Sequence, residues 1–155
     1  MNEDLFFSKS VKHPKETTIE DIVRFDPSLR RLKIYINRVL SYALSGEVQV
    51  TKPMNTSLNE ITKLCGSICY KIHETFNIVP RPVQILAILS LADDILNNKD
   101  SHGAIGEIKT GEGKSLIITI LCIILVKYNR TVDVVTSNLE LAKRDQKEQS
   151  KYFHL

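Results

Sequence analysis

The sequence predicts an α/β fold in which a helical N-terminal region precedes part of a parallel sheet. Two short apolar segments, 104–108 and 132–136, have the length of buried strands. Between them lies the almost unbroken apolar run 116–126, which is too short to span a bilayer. This run predicts a helix buried against the sheet. The three segments together predict a β-α-β unit.

Capping residues and apolar spacing predict the helices of the first half. Two residue pairs have the spacing of a capping box and open segments with helical apolar spacing: Thr17 with Glu20, and Ser57 with Glu60. Another helix is expected from Pro27 to about Leu44, with Gly46 as its stop. Segment 47–57 then reads as a linker.

A glycine-rich turn lies between the first predicted strand and the buried helix. It reads Glu107-Ile108-Lys109-Thr110-Gly111-Glu112-Gly113-Lys114-Ser115. Its two glycines allow backbone conformations closed to other residues, so that successive N–H groups can point at an anion. Lys114 is expected to reach the β- and γ-phosphates and Ser115 to bind Mg²⁺, while the helix adds its positive end. The turn therefore predicts a site for a nucleotide triphosphate with Mg²⁺.

The turn departs from the general phosphate-loop pattern at one position. G-x-x-x-x-G-K-[ST] needs a glycine where this chain has Ile108. The shorter pattern T-G-x-G-K-[ST] is met in full and is typical of helicase-like motor ATPases. The alternative is a glycine-rich turn that precedes Lys and Ser by chance, but the predicted strand, turn and helix favour the phosphate loop.

Three segments resemble the first nucleotide-binding domain of SecA, an ATP-driven preprotein translocation motor: 108–115, 132–137 and 141–145. The resemblance is strong from about residue 76 to 155 and implies a partial RecA-like P-loop sheet there. It divides the chain into a flexible N-terminus over 1–16, a helical region over 17–75 and the N-terminal part of a SecA DEAD-like domain over 76–155.

The resemblance also implies roles for particular residues. Gln84 would read the adenine of ATP, since its amide can donate and accept hydrogen bonds; the alternative is a glutamine on a helix surface. The implied phosphate-binding residues are Thr110, Gly111, Glu112, Gly113, Lys114 and Ser115, with Lys114 and Ser115 as the catalytic pair. Lys143-Arg144-Asp145 would help to shape the substrate groove, although charges that alternate over 140–151 fit a solvated helix face equally well.

Hydrolysis of ATP needs groups that the chain does not present in recognisable form. Phosphoryl transfer uses a strand-borne acid for Mg²⁺ and an arginine at the transition state, and neither follows Ser115 recognisably. The pair Asp93-Asp94 precedes the loop and is predicted to face solvent. We therefore expect the chain to be the N-terminal part of a motor, or a remnant of one, that holds ATP but hydrolyses it poorly alone. In the first case the rest of the motor domain would be its partner for hydrolysis.

The resemblance implies protein transport, with a preprotein substrate, a membrane channel and peripheral membrane association. Three alternatives stay open: a fragment of a superfamily 2 nucleic-acid helicase, a non-catalytic ATP-binding regulator, and an interaction module built from the N-terminal helices. A helicase would bind single strands in a salt-sensitive way.

Composition bears on partners and compartment. The net charge of +3, from 21 basic and 18 acidic residues, predicts no broad basic face for nucleic acid. Three cysteines and no signal peptide predict a reducing compartment such as the cytoplasm. Cys65, Cys69 and His73 recur at helical spacing, which favours core packing over a metal site.

Overall fold

The computed structural model describes residues 27–98, 106–108, 111 and 113–153. Two 3₁₀-helices, Pro27–Leu32 and Ser150–Tyr152, flank five α-helices in this part of the chain. The α-helices are α1 (Lys33–Ser45), α2 (Leu58–Phe76), α3 (Pro82–Asn97), α4 (Lys114–Lys127) and α5 (Leu139–Gln149).

The predicted α/β class and its partial RecA-like sheet are wrong for the described residues, none of which lies in a β-strand. Residues 106–108 and 132–136 have no regular structure, and residues 104 and 105 lie outside the described part. Val135 is 90% exposed, which no buried strand would allow. A strand exists only through hydrogen bonds to a neighbouring strand, and an apolar segment carries no information on whether that neighbour is present.

One hydrophobic core joins the helices instead. Helix α1 packs along α2, while α3 and α4 contact each other and both contact α2. Side chains with no exposed surface come from all four helices: Ile36 and Val39, Leu64 and Ile72, Ile85 and Leu89, and Ile120 and Ile124. The prediction that α4 is a buried helix is therefore confirmed, but helices cover it where a sheet was expected. No helix described here has the length and apolar content that a bilayer span requires.

The helix predicted from Pro27 to about Leu44 is confirmed, but its first six residues, Pro27–Leu32, are 3₁₀ and α1 begins at Lys33. Gly46 ends α1 in the left-handed region at φ 64°, and its N–H donates to the Tyr42 carbonyl. The linker that follows is tied to the core. The Val50 N–H donates to Ser67 Oγ at 3.1 Å, and Tyr128 Oη donates to the Asn55 carbonyl at 2.9 Å.

Helix α2 begins with half of the predicted capping box. Ser57 is the N-cap, and its Oγ accepts the N–H of Glu60 at 3.4 Å. In a full capping box the Glu60 carboxylate would accept the Ser57 N–H. Here that N–H donates to Asn55 Oδ1 at 2.9 Å instead. The carboxylate accepts from Lys63 Nζ at 2.8 Å, and this hydrogen bond lowers the pKa of Glu60. The other predicted box, Thr17 with Glu20, lies outside the described residues.

Ser57→Ala is expected to lower the free energy of unfolding by about 1 kcal/mol, because the first turn of α2 loses the acceptor for one of its N–H groups. Urea denaturation would measure the change. Thr51→Ala, at an exposed position of the same linker, is the control and should leave the midpoint almost unchanged. Equal midpoints for the two variants would show that Ser57 does not stabilise α2.

Candidate phosphate-binding site

The glycine turn precedes α4 directly, as predicted. Gly111 has φ 88° and Gly113 has φ 73°, so both residues adopt the left-handed backbone that glycine favours. A Cβ added to Gly111 would meet no atom within 4 Å, so the outer part of the turn borders open space. Thr110 and Glu112, two of the predicted phosphate-binding residues, lie outside the described residues.

The start of α4 presents donors to this open side. Gly113 is the N-cap, and its carbonyl accepts the N–H groups of Leu116 at 3.1 Å and Ile117 at 3.4 Å. The N–H groups of Lys114 and Ser115 precede these first helical bonds and therefore point out of the helix end. Lys114 is exposed and Ser115 is half-buried. Two left-handed glycines, a positive helix end and an exposed lysine are a set of groups that fits a polyphosphate.

The predicted base-reading residue contacts this turn. Gln84 lies in the first turn of α3 and is only 6% exposed. Its Oε1 accepts the backbone N–H of Arg81 at 2.8 Å, and this bond directs the amide. Its Nε2 occupies the space that a Cβ on Gly113 would need. The structure thus brings Gln84 and the glycine turn together, although part of the amide's acceptor capacity already serves Arg81.

The acidic pair Asp93-Asp94 lies far along α3 from Gln84. Asp93 Oδ2 is 3.0 Å from Arg31 Nη2, and its Oδ1 accepts from Asn97 Nδ2 at 2.9 Å. Asp93 lies nine positions after Gln84 in the helix, about 14 Å along the axis. These acids are therefore not placed at the phosphate loop.

The segment Lys143-Arg144-Asp145 lies on α5, a helix with no buried residue. Arg144 Nη2 donates to Asp145 Oδ1 at 2.8 Å, and this hydrogen bond raises the pKa of Arg144. Lys143 Nζ lies 3.5 Å from Glu140 Oε1. The described surface is a solvated helix face, and a contribution to a substrate groove stays a prediction.

The cysteines and His73 lie within or beside the core. Cys65 and Cys69 are fully buried, and a hydrogen bond with Cys69 together with burial raises the pKa of the Cys65 thiol. Burial also raises the pKa of the Cys122 thiol. Across the described ranges, no three His, Cys, Asp or Glu side chains gather into a metal site. The two α2 cysteines pack in the core.

Sequence reasoning missed one pair of residues near the loop. Thr119 Oγ1 lies 2.7 Å from the carbonyl oxygen of Ser115 and 2.7 Å from Oε1 of Gln149. Thr119 had a visible signal, because it is one of two interruptions in the apolar run of α4. Gln149 gave no signal in the sequence, because its neighbours are also polar and Thr119 lies 30 residues away.

The described residues form a helical domain in which two left-handed glycines directly precede the buried helix α4, and these features define its class. Comparison with known families then identifies the chain. A family model described as the SecA DEAD-like domain matches residues 9–155. The chain belongs to this family.

Several curated relatives carry the name protein translocase subunit SecA. The protein of Campylobacter jejuni subsp. doylei is 31% identical over 123 residues, 79% of this chain and 12% of that protein. That of Acidobacterium capsulatum is 52% identical over 44 residues, 28% of this chain and 4% of the relative. That of Helicobacter acinonychis is 44% identical over 54 residues, 35% of this chain and 6% of the relative. The matched part is thus a small fraction of each relative. No solved structure matches the chain at comparable significance.

Proposed function

We propose that the chain binds Mg²⁺-ATP as the N-terminal part of the nucleotide-binding domain of a SecA-like protein translocation motor. One observation carries the proposal: in a member of the SecA DEAD-like family, two left-handed glycines precede α4, and Gln84 lies against the second of them, Gly113. Backbone N–H groups that can donate to phosphate and an amide that can hydrogen-bond to adenine thus belong to one neighbourhood, and this supports a site for an adenine nucleotide.

The proposed roles follow the chemistry of each group. The N–H groups at the start of α4 and the ammonium of Lys114 bind phosphate oxygens, and the Ser115 hydroxyl binds Mg²⁺. Thr110 and Glu112 complete the loop on the strength of the family resemblance. Mg²⁺, when bound, would supply positive charge that neutralises the phosphate oxygens. Gln84 donates from Nε2 to the adenine while Oε1 keeps its bond to Arg81.

The proposed partners come from the same family membership. They are a preprotein substrate, a membrane channel reached by peripheral association, and the remainder of the motor domain that supplies the hydrolytic groups. A helicase function has less support, because the net charge of +3 provides no broad basic face.

Calorimetric titration of the whole chain tests the nucleotide proposal. We expect MgATP to bind more tightly than GTP, and Gln84→Ala to reduce this preference because the base loses its donor. Ser90→Ala, on the same helix, is the control and should keep the preference. Absence of MgATP binding at concentrations up to about 1 mM would overturn the proposal. Filter binding to single-stranded RNA separates the classes, since tight, salt-sensitive binding would favour the helicase.

A further inference from the structure

We infer that Gln149 is a positioning residue for the phosphate loop. It contacts Thr119, and Thr119 in turn holds Ser115 in the first turn of α4. The inference rests on the proposed nucleotide site. If Gln149 has this role, the packing of α5 against α4 and the binding of MgATP influence each other.

The first step is the contact between Thr119 and Ser115. Thr119 is 1% exposed, so water does not replace its hydrogen bonds. Its hydroxyl lies 2.7 Å from the Ser115 carbonyl, one helical turn earlier. Ser115 is the proposed Mg²⁺ ligand, and this bond at its own carbonyl restrains the backbone from which its side chain projects.

The second step is the contact between Thr119 and Gln149. The hydroxyl has one proton, so it donates to one neighbour and accepts from the other. Rotation of the Gln149 amide by half a turn presents its NH₂ group to Oγ1 while the proton goes to Ser115. The 2.7 Å separation between Thr119 Oγ1 and Gln149 Oε1 places the rotated amide at the short end of the range for an N–H···O hydrogen bond. Gln149 thereby fixes the hydroxyl that restrains Ser115.

The third step is the attachment of α5. None of its own residues is buried, and its hydrogen bond to α4 lies at its C-terminal end. There Gln149 contacts Thr119, and buried Tyr152 packs edge-on against Phe76 with ring centroids 4.8 Å apart. Lys151 Nζ lies over both rings, 5.1 Å from the centroid of Phe76 and 4.9 Å from that of Tyr152.

An element with few buried contacts opens at low free energy, so the loss of one contact shifts its docking measurably. Because Gln149 belongs to α5 and Ser115 to the loop, a ligand that orders Ser115 also favours docked α5. Linkage makes the effect reciprocal: docked α5 raises the affinity for MgATP by the same factor.

The test compares MgATP affinities of the whole chain carrying Thr119→Val, Gln149→Leu or both. Each single variant should weaken MgATP binding about fivefold, the worth of one hydrogen bond. The double variant should also lose about fivefold, not about 25-fold, because the residues act in one chain of contacts. Thr119→Ser keeps the hydroxyl and should bind MgATP with parental affinity. Gln146→Leu, at an exposed position of α5, is the matched control and should also bind like the parent.

A second readout separates positioning from general support of the fold. ATP without Mg²⁺ should bind the variants and the parent alike, since Ser115 acts through the metal. Amide hydrogen exchange of residues 139–149 should slow when MgATP is added to the parent, but not when it is added to Gln149→Leu.

The outcomes are distinguishable. A parent chain that binds no MgATP overturns the proposed function and this inference with it. A parent that binds, with both single variants at parental affinity, overturns the inference and leaves the proposed function standing. If the variants bound ATP more weakly than the parent by the same factor with and without Mg²⁺, the two residues would only support the fold. This result also overturns the inference.

Discussion

Lys114→Ala is expected to weaken MgATP binding about 100-fold, because the proposed site loses the Lys114 ammonium and its charge-assisted contact to phosphate. The side chain is exposed at the first position of α4, so its removal should leave the fold almost unchanged. Calorimetric titration would measure the affinity, and urea denaturation would confirm the stability.

Lys127→Ala is the matched control. It removes the same charge from an exposed position at the other end of the same helix. We expect it to bind MgATP like the parent. If Lys114→Ala also bound like the parent, the loop would not hold phosphate, and an interaction module built from the N-terminal helices would become the better explanation.

Gly113→Ala is expected to be the most damaging small substitution in the loop. The left-handed backbone at φ 73° costs an alanine roughly 1–2 kcal/mol. The new methyl group would also displace Gln84 Nε2, and loss of the bond from Arg81 to Gln84 adds about 1 kcal/mol. The free energy of unfolding should fall by the sum, about 2–3 kcal/mol, and the preference for ATP over GTP should fall with it.

Gly111→Ala separates the two causes. Its φ of 88° carries the same backbone penalty, but its Cβ would enter open space. We expect a loss of roughly 1–2 kcal/mol in the free energy of unfolding and an unchanged preference for the base. Denaturant midpoints that were equal for the two variants would refute the contact between Gly113 and Gln84 as a determinant of the loop.

Local signals predicted three of the helix ends correctly. Gly46 ends α1, Ser57 caps α2 and Lys114 begins α4, each within one residue of the expected position. Such signals work because a cap satisfies N–H or carbonyl groups only a few residues away. The second half of the Ser57 box failed for a related reason: Glu60 had a better partner in Lys63.

Local signals of this kind could not predict whether a sheet forms. Segments 106–108 and 132–136 resemble strands in length and composition, but the described residues offer them no paired neighbour. Whether an apolar segment forms a strand depends on a distant partner, whereas a helix closes its hydrogen bonds within itself. That difference explains why the prediction of α4 was right and the prediction of a sheet around it was wrong for the described residues.

The sequence by itself determined the residue types at the loop, the glycines that permit it and the helix that follows it. Only the tertiary structure decided that Gln84 lies against Gly113 and that Gln149 reaches Thr119. The physical reason is the range of the interactions. Backbone preferences and caps act over a few residues, while these two contacts depend on how α3 and α5 pack against α4.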